Sequence, residues 1–127
     1  LWELSQSGRD HLRLDTLLTM GSPLGQRYLQ KRIKGSNKTG YDRYPSNIRR
    51  WKNMAATGDL TSLDRRLADD FAEMLELGLV ESIEDEPLLT YFHLDGALNV
   101  HAEYGYLVHD KTARTIVAWW RGHEGQD

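Results

Sequence analysis

Apolar and polar positions alternate along the chain in short blocks, and the block from Leu14 to Leu24, LDTLLTMGSPL, organises the rest. Leu14, Thr16, Leu17, Leu18, Thr19 and Met20 form a mostly apolar run bounded by turn residues, the pattern of a strand covered on both faces. Gly21 permits a sharp backbone turn, Ser22 is placed to cap the next helix, and Pro23 suits its first position. Leu24, Tyr28, Leu29 and Ile33 then recur at helical spacing, with Gly35 as the stop. A strand, tight turn and helix in this order form one unit of a parallel α/β sheet.

The same patterning assigns the remaining elements. Residues 1–5 read as the end of a helix, and Ser7 to Arg13 as a polar turn. Ser36 to Asn47, rich in Gly, Asn, Ser, Pro and Tyr, is a loop. A second strand is predicted over Ile48 to Ala56, ended by the loop Thr57-Gly58-Asp59. Leu63, Leu67, Phe71, Met74 and Leu75 repeat at three and four, which predicts a helix with Asp64 at its start and Gly78 at its end. Leu79 to Ile83 and Leu88 to Leu94 read as short strands around the acidic turn Glu84-Asp85-Glu86-Pro87, and Asp95-Gly96 as a further turn. A last helix spans Thr112 to Arg121, with Ala113, Ile116, Val117 and Trp120 on one face. The order is strand, helix, strand, helix, short strands, helix. That order predicts a single α/β domain over residues 1–127, with helices on both faces of a parallel sheet as three layers.

Composition adds limits. A chain of 127 residues with four Trp and six Tyr is long enough for one packed core. It has no cysteine, which excludes a disulfide framework and a thiolate metal site and is compatible with a reducing, cytoplasmic setting. No apolar run is long enough to span a membrane. The chain begins with Leu1 rather than Met, and the sequence reads as part of a longer protein, so a missing targeting segment carries no weight. The net charge of −3 conceals an asymmetry. Arg27, Lys31, Arg32, Lys34, Lys38, Arg43, Arg49, Arg50 and Lys52 face only Asp42 in their stretch, whereas Asp59 to Glu103 is acidic. Because the basic residues span a helix, a loop and a strand, paired faces of one domain are favoured over a nucleic-acid patch.

In parallel sheets the working residues sit in loops just past the carboxyl ends of strands. Asp59 follows the second strand there, and His101 lies in a loop just before a helical stretch. A carboxylate that orients an imidazole, and an imidazole that takes a proton near neutral pH, are two members of a nucleophile–His–acid triad. A loop Asp beside a Gly also serves as a turn or cap, and a lone His as a packing group, so spacing leaves both readings open.

Three runs, TLLTMGSPLG, RRWKNMAATGDLTSLDRRLADDF and NVHAEYGYLVHDKTARTIVAWW, resemble the C-terminal half of an α/β-hydrolase of the lipase/esterase-like group. The resemblance lies in a strand ending in GSPLG, a W-x-N strand followed by a loop with the acid, and a late N-x-H-x-x-Y-G-Y-L segment. It implies a serine hydrolase of small ester-like substrates that needs no cofactor, with Asp59 as triad acid and His101 as general base. The chain order Ser, acid, His places the nucleophile upstream. No G-x-S-x-G occurs in these residues. In Gly21-Ser22-Pro23-Leu24-Gly25 the glycines stand one before and three after the serine, which suits a helix cap better than a nucleophile elbow.

Asp64 competes for the acid role but is explained by capping. Asn53 and Asn99 are candidates to brace the two loops, and Trp51 and Tyr104-Gly105-Tyr106 read as packing. His101-Ala102-Glu103 lacks the cysteines of a deaminase site, and His123-Glu124 with Asp127 is a broken H-E-x-x-H. His11, His93 and His109 have no metal-binding partners at useful spacing. The alternative to an enzyme is a non-catalytic α/β interaction module built on a degenerate hydrolase. In either case, an exposed edge of a truncated parallel sheet predicts pairing between copies.

Overall fold

The computed structural model describes residues 1–8, 11–57, 66–89, 93–94, 97–98 and 103–123. In chain order these form α1 (Trp2–Gln6), β1 (Leu14–Met20), a 3-10 turn at Pro23–Gly25, α2 (Arg27–Gln30), a second 3-10 turn at Gly40–Arg43 and β2 (Ile48–Ala56). They continue with α3 (Leu67–Asp70), α4 (Ala72–Glu76), β3 (Ser82–Leu88), β4 (His93–Leu94), β5 (Ala97–Leu98), α5 (Glu103–Leu107) and α6 (Asp110–His123). Strands β1, β2 and β3 form a parallel sheet in that order, and β4 and β5 form a small antiparallel pair. The α/β class follows from this sheet, with helical segments packed on both of its faces.

Register explains how each face is built. Leu17 pairs with Trp51 and Trp51 with Ile83, while Thr19 pairs with Asn53 and Asn53 with Asp85. Side chains alternate along a strand, so these two rows share one face. There Trp51 and Ile83 join Tyr44, Ile48, Leu67, Phe71, Met74, Leu79 and Val80 in the larger core cluster. Phe71 packs on Trp51 at 5.0 Å between ring centroids and meets Tyr44 edge-on at 6.3 Å. On the opposite face Met54, Ala56, Leu88 and Tyr106 form a smaller cluster, with Leu18 against it.

The polar row is a connected network. The Trp51 indole N–H donates to Thr19 Oγ1 at 3.0 Å, and Thr19 Oγ1 donates to Asn53 Oδ1 at 2.9 Å. Asn53 Nδ2 donates to Asp85 Oδ1 at 2.9 Å. Asp85 also accepts the backbone N–H groups of Leu67 at 3.0 Å and Ala68 at 2.9 Å. Those are orphan donors at the start of α3, whose own N-cap residue, Arg66, makes no side-chain cap bond. A carboxylate from the sheet therefore caps the helix.

Several elements depart from the sequence reading. The acidic run expected as a turn is strand β3. Its carboxylates have partners off the chain axis: Glu84 pairs with Lys52, Glu86 with Lys111, and Asp85 with the network above. Pro87 is tolerated because β3 lies at the edge of the described sheet, where one side of the strand needs no ladder donor. Strand β1 is the other edge and is half-buried rather than covered on both faces.

The helix expected from Leu24 to Ile33 breaks into a 3-10 turn and the short α2, because Gln26 is extended at φ −82° and ψ 117°. Ser22 caps only that 3-10 turn, accepting the Leu24 N–H at 3.3 Å. The helix ends at Gln30 with Lys31 as its C-cap, ahead of the stop expected at Gly35; Gly35, at φ +87°, turns the chain where an added Cβ would clash with the Arg43 carbonyl oxygen. The helix expected from Leu63 is described from Leu67 and is interrupted at Phe71. Within the basic stretch Lys34 pairs with Glu3, Arg49 with Asp15 and Glu81, Arg50 with Asp15 and Lys52 with Glu84.

Asp85→Ala removes the acceptor for three donors at once. It is expected to lower unfolding free energy by ~3 kcal/mol in urea denaturation, and Asp85→Asn by roughly 1 kcal/mol. A loss below about 0.5 kcal/mol for Asp85→Ala contradicts this role for the network.

Candidate functional site

The chemistry of a parallel sheet gathers beyond the carboxyl ends of its strands, here Met20, Ala56 and Leu88. The ladder continues one residue past β1 and β2. The Gly21 N–H donates to the Met54 carbonyl and the Thr57 N–H to the Leu88 carbonyl, each at 2.9 Å. Gly21, at φ +59°, then turns the chain away from the sheet. On β2 the Ala56 N–H is taken instead by a side chain: it donates to the Tyr106 hydroxyl at 2.9 Å, a buried bond. Tyr106 is 2% exposed and belongs to α5. This one contact fastens α5 to the carboxyl end of β2.

Helix α6 is held to the same corner. Thr112, fully buried, donates to Met54 Sδ at 3.2 Å. Lys111 bonds Glu86 and donates to the Pro87 carbonyl at 3.1 Å. Tyr106 of α5 and the amino-terminal end of α6 thus converge on the carboxyl ends of β2 and β3.

Asp59 and His101, together with Asp64 and Asn99, lie outside the described residues. The structure describes their attachments. Asp59 comes three residues after Ala56, and His101 two residues before the start of α5 at Glu103. Asn53, expected to brace a loop, instead sits 1% exposed in the sheet network. Trp51 and Tyr106 are packing residues as expected, whereas Tyr104 is exposed. The role of Tyr106 as an acceptor for β2 is one that sequence reasoning missed. Its signal is a Tyr among small and apolar neighbours in a short helix after the last strand, a setting where a buried hydroxyl needs a partner.

Neither of the two larger cavities in the described region lies at this rim. One of about 250 Å³ is apolar and opens beside Trp2, Leu17, Ile33, Ile48, Trp51 and Phe71. The other, about 210 Å³, lies between the sheet and α6 and is lined by Thr16, Arg50, Lys52, Glu84, Thr115 and Trp119. Both sit toward the amino-terminal halves of the strands. A large pKa displacement is found at Tyr44, which donates to Glu73 Oε2 at 2.6 Å. Burial first, and that bond second, push its phenol up to about 12. It lies ahead of the amino end of β2, so it too is remote from the rim.

Compared with known proteins, the chain matches no family model, no curated protein and no solved structure. Among the described residues no group of three or more His, Asp or Glu could hold a metal ion, and no helix is long and apolar enough to cross a membrane.

Tyr106→Phe leaves the buried Ala56 N–H without its acceptor. The expected cost is ~1–3 kcal/mol of stability, with faster amide exchange at Ala56 than at Met54. An unchanged Ala56 exchange rate contradicts the fastening described.

Proposed function

We propose that this chain is the C-terminal part of a serine hydrolase of the α/β-hydrolase type, acting on a small ester-like substrate. In this reading Asp59 is the triad acid, His101 is the general base, and the nucleophilic serine comes from residues upstream. His101 takes the proton from the serine oxygen as it attacks the acyl carbon. It then gives that proton to the departing alkoxide. Asp59 holds the imidazole through its other nitrogen and stabilises the cation formed between the two transfers. The chemistry calls for no cofactor.

The observation that carries this reading is the Ala56–Tyr106 bond. Residues 59 and 101 are separated by 42 positions in sequence, yet both are tethered to that one contact. Three chain links separate Asp59 from Ala56, and two separate His101 from the first residue of α5; each link spans at most about 3.6 Å. The parallel sheet and the order of acid before histidine support the same assignment. The second reading, a non-catalytic interaction module, draws on the exposed apolar face of α6.

Labelling by a serine-directed fluorophosphonate tests the proposal in a protein that includes the preceding residues and their G-x-S-x-G serine. His101→Ala is expected to slow labelling on the order of 10⁴-fold, and Asp59→Asn by a similar factor. Undiminished labelling of His101→Ala removes the imidazole from the base role. An intact protein with no nucleophile upstream favours the interaction module.

A further inference from the structure

Helix α6 faces the sheet with Thr112, Thr115 and Trp119 rather than with its Ala113–Ile116–Val117–Trp120 stripe. Thr112 is buried against Met54, and Thr115 is half-buried. Ala113, Ile116, Val117 and Trp120 follow the i, i+3, i+4, i+7 pattern of one stripe, turned roughly 100° around the helix from the threonines. The sequence pattern places these four residues on one face of the helix. That face is on the surface, with Ile116 48%, Val117 45% and Trp120 61% exposed. A contiguous apolar stripe of this kind in water marks an interaction surface.

The stripe is complementary to its own reversal. When α6 is set antiparallel to α6 of a second copy, about an axis between positions 116 and 117, Ala113 falls opposite Trp120 and Ile116 opposite Val117. The largest side chain then meets the smallest, which lets two helices approach without a void. Charge obeys the same symmetry. Asp110 in the first turn and Arg121 in the last stand three helical turns apart along one edge of the stripe. Reversal sets each aspartate, which also holds Arg114 of its own helix at 3.1 Å, near the Arg121 of the second copy. A parallel arrangement would instead oppose Asp110 to Asp110 and Trp120 to Trp120. A lipid surface is a poorer occupant, because Lys111 pairs with Glu86 and Arg114 with Asp110. That leaves little positive charge for anionic headgroups.

We propose that two copies of this chain pair through α6, antiparallel, along the Ala113–Ile116–Val117–Trp120 stripe. The pairing is isologous, as expected of a two-fold dimer, and uses a surface distinct from the edges of the sheet. It is independent of the hydrolase reading.

Sedimentation equilibrium of the 127-residue chain is the test. The wild type is expected to show a concentration-dependent dimer. Val117→Asp is expected to raise the dissociation constant by about 30-fold or more, with an unchanged circular dichroism spectrum because the side chain is exposed. Asp110→Arg and Arg121→Asp should each weaken the dimer, and their combination should restore it. Because the chain has no cysteine, Val117→Cys should give a disulfide-linked dimer on oxidation. Ala118→Cys, exposed on another side of the helix, should not. A monomeric wild type, a dimer that survives Val117→Asp, no rescue by the double charge exchange, or equal cross-linking of the two cysteine variants overturns the proposal. A monomer that co-sediments with phosphatidylglycerol vesicles overturns it in favour of a membrane surface.

Discussion

The structure depends on a row of polar side chains that crosses all three parallel strands, buried at Asn53 and half-buried at Thr19 and Asp85. Thr19, Asn53 and Asp85 stand in register, and each satisfies its neighbour. A partly satisfied row at that depth would be strongly destabilising, because buried donors and acceptors without partners lose their water and gain nothing. A slip of one residue would turn the entire row to the other face and break every bond in it. The network therefore specifies register more sharply than apolar packing can. It also ties the sheet to the helical layer, since the last carboxylate in the row caps α3.

With register fixed, the two faces have different tasks. One carries the larger core, where Trp51 and Phe71 pack at a tilt and join Met74 and Leu67. The other carries a small cluster at the carboxyl ends of β2 and β3, closed by Tyr106 and Thr112. That second face is the thinner one, and α6 covers it with Thr112, Thr115 and Trp119 rather than with its Ala113–Ile116–Val117–Trp120 stripe. The inversion is understandable: Arg50, Lys52, Ser82 and Glu84 make much of that face polar, so an apolar helix face would gain little by lying on it.

Much of this was legible from residue order, and the failures have identifiable causes. Strands β1 and β2 coincide with Leu14–Met20 and Ile48–Ala56 because each is a short run with apolar members bounded by turn residues. Strand β3 was obscured because three consecutive acidic residues and a proline have the local chemistry of a turn. Only the lysines, the Asn53 amide and the backbone donors that approach from elsewhere make a strand possible there, and no local window contains them. The break at Gln26 and the interruption at Phe71 likewise answer to packing rather than propensity. At the rim, the attachment points of the candidate acid and base could be located by rule from strand ends. The Tyr106–Ala56 bond could not, because its partners are 50 residues apart.

In the proposed hydrolase, Asp59 and His101 belong to two chain segments adjoining one hydrogen-bonded corner of the sheet, the Ala56–Tyr106 contact. The most direct measurement is proton NMR of the His101 ring. A carboxylate at position 59 bonded to the imidazole predicts a low-field ring N–H resonance from His101 that disappears in Asp59→Asn while the Tyr106–Ala56 corner stays intact. A His101 ring insensitive to Asp59→Asn, with no such resonance in the wild type, contradicts it.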